Sequence, residues 1–406
     1  MNIVYLISQN LESPAGLGRY GPLAREMVKL GHNVDFIGLH PQFDDLENNS
    51  FVEEGVRVHY VAPMHVMKRG DNKSYYSTSQ LIRISLQATW RLSQSFNRSD
   101  VDILHVGKPH PMNGIAGLWG KLTSSKNLFV DCDDFEAASG RFKSSWQKGT
   151  VAFFEKNIPR QAIAVTTNTE FMRDKLISWG ISNEKIIYLP NGVDTGRIST
   201  PDPASILSLQ RELGLENKYV IAFIGSISLP SHPVQLLIEA FYKIYSIQQD
   251  TRLLFVGGGE DVEYLKKLTL QMGISDVITF CGKVPREKIP QYYAIADVTV
   301  DPVHDNDAAR GRQPLKLFES WHYGVPFVSG DVGDRKQLLG DPQAGLLSQA
   351  GDPDSLAEAL LTIINSPGLA EEIRILGHER VKPFTWKGIA ADLEKQYMHH
   401  ASLSKE

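Results

Sequence analysis

The chain has 406 residues, of which 42% are hydrophobic and 22% charged. At about 150 residues per domain this makes two or three globular domains, and the composition excludes wholesale disorder, collagen and coiled coil. Lys and Arg number 42 against 47 Asp and Glu, and the resulting formal charge of -5 argues against a dedicated nucleic-acid binder.

The amino terminus, MNIVYLISQN, has no basic leader and reads as a strand, so no secretory signal is expected. Residues 3–7 form a buried-strand run. Tyr20, Leu23, Met27, Val28 and Leu30 then recur at helical spacing until Gly31 stops the helix, and 32–39 is extended again. Short apolar runs at 56–61, 103–106, 128–130, 162–166 and 186–189 follow, separated by helix-length segments. Alternation of this kind predicts a parallel sheet with helices on both faces. A Pro, Gly and Asp-rich break covers 189–205, after which a second series begins at Tyr219, with strands at 220–224, 253–256, 277–280, 298–300 and 327–329. The last apolar-periodic segment, 386–397, follows Pro383 and predicts a terminal helix.

The expected architecture is α/β, with two doubly wound Rossmann-like domains at 1–195 and 196–383 and a terminal segment at 384–406. Open parallel sheets bind ligands beyond the carboxyl ends of their strands, which places the site in a cleft between two such domains. No apolar stretch approaches the ~18 residues of a membrane span. Cys132 and Cys281 are far apart and in no metal-ligand spacing, so neither a disulfide framework nor a zinc site is expected, and a reducing cytoplasm fits best.

Gly16, Gly18 and Gly21 in GLGRYG match the dinucleotide pattern GxGxxG, with Asp35 about 20 residues on. Residues 9–15 separate the strand from the first glycine, whereas a dinucleotide fingerprint places them nearly adjacent. The segment is read as a longer glycine loop ahead of a helix, offering the amides of Gly16 and Gly18 to an anion.

With SPAGLGRYGPLAREMVKLGHNVDFIG near the start, LPNGVD at 189–194, VGGGE at 256–260, FCGKVPREKIPQYYAIADV at 280–298, PLKLFESWHYGVPFV at 314–328 and FTWKGIAADL at 384–393, the chain resembles the retaining GT-B glycosyltransferases of family 4. The resemblance implies two domains facing across a cleft, the first taking the acceptor and the second the nucleotide sugar, with the terminal helix crossing back to the first. It also implies no metal and no cofactor, although DCD at 131–133 matches the metal-binding DxD of another glycosyltransferase fold. Glu319 would accept bonds from both ribose hydroxyls. Leu315 and Lys316, at a helix start, would meet the diphosphate with Arg310 and Arg312. Gly225, Ser226, His232 and Gly257 would complete the phosphate side, and Val284 would meet the base through its backbone. Asp131, Cys132, Asp133 and Asp134 end a strand and are expected to face one cleft, with Asp133 contacting sugar or acceptor beside Lys108 and His110.

Four positions depart from the family pattern, one of them Asp133, which falls where the family has a histidine at the end of a first-domain strand. The first Glu of E-x7-E falls on Gly311, and the family's Arg and Lys after the first strand of the second domain fall on Ser226 and His232. Arg310 and Arg312 are candidates to restore the missing charge. Asp133, Lys316 and Arg312 are the expected catalytic groups, acting by positioning and electrostatics. A non-catalytic sugar-nucleotide binder or an epimerase of the same fold is the competing reading.

Between Tyr60 and Arg98 lie Lys68, Arg69, Lys73, Arg83, Arg91 and Arg98 against one acid, Asp71, interleaved with Tyr75, Tyr76 and Trp90. Arg141, Phe142, Lys143, Trp146 and Lys148 continue that character. A basic, aromatic helix face suits anionic lipid or a lipid-linked acceptor, and the expectation is a cytoplasmic protein with peripheral contact to the inner membrane face.

Overall fold

The computed structural model describes residues 1–69, 72–96, 100–124, 126–142, 144–196 and 200–403. Asp71, Arg98 and Lys143 lie outside these residues, as do the side chains of Lys68, Arg69 and Lys73. Two compact units are present: Met1–Asn191 with Gly311–Gln313 and Trp386–Glu406, and Gly192–Arg310 with Pro314–Thr385.

The strands of the first unit are β1 (Asn2–Ile7), β2 (Asn33–His40), β3 (Ser50–Glu53), β4 (Val56–Pro63), β5 (Val66–Arg69), β6 (Asn72–Tyr75), β7 (Ile103–Gly107), β8 (Asn127–Cys132), β9 (Ala164–Thr167) and β10 (Ile186–Tyr188). Eight of them form one sheet in the order β10-β9-β8-β7-β1-β2-β4-β3. All its pairings are parallel except β3 with β4. That edge and the β5–β6 hairpin are absent from the sequence reading, because their short polar runs carry little hydrophobic pattern.

Helices α1 (Gly21–Lys29), α2 (Thr78–Ser95), α3 (Pro111–Ser124), α4 (Glu136–Ser139), α5 (Ser145–Asn157) and α6 (Glu170–Ser178) cover this sheet. Side chains alternate faces along a strand. Val4 and Leu6 of β1 therefore join a core with Ala88 and Leu92 of α2, Met112 and Ala116 of α3, and Met172 of α6, while Tyr5 meets the opposite layer.

The second unit carries β11 (Tyr219–Ile224), β12 (Thr251–Val256), β13 (Ile278–Phe280), β14 (Val298–Asp301), β15 (Phe327–Gly330) and β16 (Leu346–Ser348). They form an all-parallel sheet in the order β13-β12-β11-β14-β15-β16. Around it run α7 (Pro203–Glu212), α8 (Gln235–Ile247), α9 (Val262–Gln271), α10 (Ile289–Ala294), α11 (Asp307–Arg310), α12 (Leu315–His322), α13 (Arg335–Leu339), α14 (Pro353–Asn365) and α15 (Pro367–Val381). Ile221 and Phe223 pack on α8 and α14; Val220, Ala222 and Ile224 pack on the other face with Tyr292 and Tyr293 of α10.

The last helix, α16 (Trp386–Leu403), belongs to the first unit. It packs against α1, and its buried Tyr397 meets Tyr5 at 3.4 Å, pairs with His105 and lies edge-on to Phe129. His32 Nε2 and Glu394 Oε1, 2.7 Å apart, tie the chain's start to its end. None of the described helices is long and apolar enough to cross a membrane.

Candidate active site

In an open parallel sheet the ligand crevice lies where the strand order reverses. In the second unit that point is between β11 and β14, and the chain places a glycine and a carboxylate there. Gly225 follows β11 with φ +153°, and Asp301 is the last residue of β14. Close backbone packing holds this turn. A Cβ on Gly257, which has φ +143°, would sit 2.0 Å from the Gly225 carbonyl oxygen, and one on Gly259 would sit 1.7 Å from that of Ile227. Any larger side chain at either position forces the loop apart.

Asp301 is fully buried and is held by two cations. Lys316 Nζ donates to its Oδ1 at 2.8 Å and Arg335 to its Oδ2 at 3.0 Å. Arg335 is fixed further by Ser329 Oγ at 3.0 Å and by the carbonyls of Ala309 and Val332 at 3.2 and 3.1 Å. Lys316 Nζ lies 4.4 Å from the Phe223 ring centre, and the Lys316 Nζ and His232 Nδ1 atoms are 3.4 Å apart. A Cβ added to Gly225 would be 3.5 Å from Lys316 Cε, so this side chain lies directly against the turn after β11. Two cations on one carboxylate leave a net positive charge beside the N-terminus of α12, an arrangement that attracts an anion.

One turn further along α12, Glu319 accepts a 2.8 Å hydrogen bond from the Tyr293 hydroxyl. Burial pushes the Glu319 carboxyl above its usual range, and the Tyr293 bond opposes that rise. Tyr293 is itself locked by stacking on Tyr323, with ring centres 4.7 Å apart. Lys316 and Glu319 thus come from a single eight-residue helix.

The remaining donor-side candidates are not all drawn to this point. Ser226 is exposed, and the Val284 side chain packs on the core around Val220. Arg310 is exposed and turns onto Asp305 at 2.8 and 3.0 Å; Arg312 belongs to the segment Gly311–Gln313 of the first unit. The cation that joins Lys316 is instead Arg335. Sequence gave no warning of it, because it meets Asp301 from 34 residues away.

In the first unit the strand order reverses between β7 and β1. Lys108 follows β7 with φ +52°, an uncommon conformation for a side-chain-bearing residue. Asn113 of α3 fixes that turn, its Nδ2 donating to the carbonyls of Gly107 and Lys108 at 2.7 and 3.1 Å. The buried Lys108 ammonium then reaches Asp134 and Glu136 at 2.5 Å each and Asp133 at 3.4 Å. His110 lies beside it, with Nδ1 2.7 Å from Ser8 Oγ and Nε2 3.2 Å from Glu136 Oε2. Carboxylate oxygens of Asp133, Asp134 and Glu136 lie within 4.8 Å of one another, the spacing a metal ion needs, and Lys108 supplies the positive charge among them.

The expectation that residues 131–134 all face one crevice is corrected by the strand's alternation. Cys132 points into the core shared with Val130 and Val165. Asp131 is fully buried and takes both Arg19 Nε and NH2 at 2.7 and 2.8 Å, the Tyr20 hydroxyl at 2.9 Å and Thr166 Oγ1 at 2.6 Å. Despite its burial, Arg19 holds it down to about 2. Asp133 shares that face but lies 4.0 Å from Arg19 and 3.4 Å from Tyr20, and burial pushes its carboxyl up to about 7. It does not cap α4, whose N-cap is Phe135 and which has no side-chain cap.

The glycine loop is also corrected. Gly16–Tyr20 is a wide helical turn continuous with α1. The Gly16 amide donates to Ser13 Oγ at 3.1 Å, and a Cβ there would meet the Asn10 and Leu11 carbonyl oxygens at 2.4 Å. Gly16 serves close packing, so its amide is not presented to a ligand; Gly18 lies half-buried in the same turn.

Both halves match known families. Residues 15–192 match the glycosyl transferase 4-like domain and residues 218–366 the glycosyl transferases group 1 domain. Among curated proteins the chain is 26% identical, over 59% of its length, to the GDP-mannose-dependent alpha-(1-6)-phosphatidylinositol monomannoside mannosyltransferase of Mycolicibacterium smegmatis; the match spans 63% of that relative, a little under two thirds. Among solved structures it is similar to sucrose-phosphate synthase from Thermosynechococcus elongatus, with a TM-score of 0.79, 17% identity and coverage of 98% of this chain and 99% of the other. Anabaena HepE in complex with UDP and glucose gives a TM-score of 0.72 at 17% identity, covering 98% and 100%. Two family domains in order along the chain, each on its own largely parallel sheet, and a GT-B fold over the full length place the protein in the GT-B glycosyltransferases of family 4.

Proposed function

We propose that this protein transfers a sugar from a nucleotide-diphosphate sugar to a hydroxyl of a glycan, lipid-linked or small-molecule acceptor, with the anomeric configuration retained. The observation that carries the reading is the grip of Lys316 and Arg335 on Asp301 beside Gly225, one helical turn from Glu319. Negative charge grows on the departing nucleoside diphosphate as the glycosidic bond breaks, and a fixed cation with helix amides stabilises it. Lys316 takes that role and Glu319 the ribose hydroxyls. The leaving phosphate assists deprotonation of the acceptor on the same face, so the second unit acts mainly by positioning.

In the first unit Asp133 is the acceptor-side group, with Lys108 and His110 setting its electrostatics. A carboxyl that titrates near neutrality exchanges a proton readily at working pH. The reaction proceeds without a metal ion in this reading, because the Lys108 ammonium already takes the place of a cation among the three carboxylates and offsets part of their charge. A lipid-linked acceptor has the support of the mycobacterial relative, whose name specifies a phosphatidylinositol monomannoside.

Gly311, which offers no carboxylate for the donor sugar, favours a second reading as a sugar-nucleotide binder without turnover. Incubation of the full chain with UDP-, GDP- and ADP-sugars and a panel of hydroxyl acceptors separates the two. Transfer with retained configuration, read by NMR of the product, is the expected result. Diphosphate binding with neither transfer nor release supports the binder.

A further inference from the structure

Helices α2, α3 and α5 lie on the same face of the first unit's sheet, each contributing to or ending at one core through Ala88, Met112 and Ile158. α2 packs on α3, and α3 on α5, so their outward faces are contiguous. Those faces are apolar to an unusual degree. Ile82, Leu86 and Trp90 form a stripe along α2 at 50%, 68% and 56% exposure; Ile115, Trp119 and Leu122 form a second on α3 at 39%, 51% and 80%; Trp146 and Phe153 extend it on α5. Scattered exposed apolar residues are ordinary, but a continuous patch of this kind marks a surface that meets a partner.

The exposed charges carried by these three helices are of one sign. Arg83 and Arg91 lie on α2, Lys121 on α3, and Lys148 and Lys156 on α5. The three helices contain one acid, Glu155, and it is buried, its carboxylate accepting the Glu136 and Ala137 amides at 2.6 and 3.1 Å. This is a net cationic face on a chain whose formal charge is -5.

We propose that the outer face of α2, α3 and α5 docks on an anionic lipid bilayer. Aromatic and aliphatic side chains flanked by cations fit the boundary between headgroups and acyl chains, where tryptophan is favoured and each cation adds about 1 kcal/mol of attraction. A second copy of the chain fits poorly, because a twofold contact sets this face against itself and brings like charges together with no acid to offset them. A nucleic acid would use the cations but leave Ile82, Leu86 and Leu122 in water. The proposal stands independently of the sugar-transfer reading.

The test is vesicle flotation of the full chain with phosphatidylcholine alone and with phosphatidylcholine containing 30% phosphatidylglycerol, a composition of about one anionic lipid in three chosen to exceed the charge of a typical cytoplasmic leaflet. The expected result is partition to the anionic vesicles and release at high salt. Replacing Arg83 and Arg91 by Gln lowers the partition coefficient about 30-fold, the equivalent of ~1 kcal/mol for each cation. Replacing Leu86, Trp90, Trp119 and Leu122 by Ser lowers it at least as much while thermal unfolding stays unchanged, since all four are exposed. No partition to either vesicle, equal partition by the variants, or self-association that the Ser variant abolishes would overturn the proposal.

Discussion

Lys316 Nζ lies 2.8 Å from Asp301 Oδ1, and the carboxylate's other oxygen is taken by Arg335 at 3.0 Å. Position 232, where the resemblance implies a lysine, holds a histidine, and Lys316 Nζ lies 3.4 Å from its Nδ1. A cation therefore reaches the turn after β11 from α12 instead of from the loop itself. Asp301 makes this possible, because two cations buried side by side need a shared counter-ion.

Asp301→Ala leaves Lys316 and Arg335 buried without that counter-ion and should destabilise the protein by roughly 3–5 kcal/mol. Asp301→Ala combined with Lys316→Met should cost less than Asp301→Ala alone, since one of the two repelling charges is gone. Urea unfolding of the wild type and the two variants checks both statements.

In the proposed function Glu319 binds ribose hydroxyls as a carboxylate, and burial raises its pKa. Diphosphate affinity should thus fall with decreasing pH, beginning above the range of an ordinary glutamate. Tyr293→Phe removes the bond that favours the charged form, so the same fall should begin at still higher pH. Titration calorimetry across pH on both proteins measures the displacement.

Asp133 and Asp131 shift in opposite directions, and their effects on stability are opposite in sign. Asp133 is raised from 3.8 to about 7, so the folded state binds a proton that the unfolded chain does not, and its contribution to stability falls as pH rises between those values. Asp131 is lowered to about 2, so its contribution is complete above about 4 and is lost as pH falls toward 2. Asp133→Asn should shrink the first slope, leaving the share of Glu155, which burial raises from 4.5 to about 8, and keep the second, as read by thermal unfolding at a series of pH values.

Gly257→Ala places a methyl group 2.0 Å from the Gly225 carbonyl oxygen at φ +143°. The backbone at 225–227 must move, and the variant should lose on the order of 1–3 kcal/mol of stability together with most of its diphosphate affinity. Gly273→Ala, where φ is +70° but open space surrounds the added Cβ, should keep the affinity. Comparing the two separates displacement of the phosphate turn from backbone strain in general.

Much of the fold was legible because strands buried on both faces read as continuous apolar runs, as 220–224 and 253–256 do. Glu319, Lys316 and the start of α12 were legible from PLKLFESW. Asp301 and Arg335 were not, since nothing in local spacing marks two residues that meet only when β14 and α13 come together. The glycines at 16 and 18 misled for a physical reason: glycine permits both an anion-binding loop and a helical turn packed tightly on backbone, and the Asn10 and Leu11 carbonyls decide for the second. The grouping of Asp131 to Asp134 overlooked strand alternation, which separates Cys132 from its neighbours.

The most direct test is calorimetric titration of the wild type, Lys316→Met and Glu319→Gln with UDP, GDP, ADP and TDP and with the corresponding nucleosides. The account predicts that one diphosphate binds, that Lys316→Met weakens it at least tenfold while leaving nucleoside binding unchanged, and that Glu319→Gln weakens nucleoside and diphosphate alike, each loss corresponding to about 1.5–3 kcal/mol for a hydrogen bond to a charged group. Diphosphate binding that is absent throughout the panel, or that survives both substitutions unchanged, would contradict it.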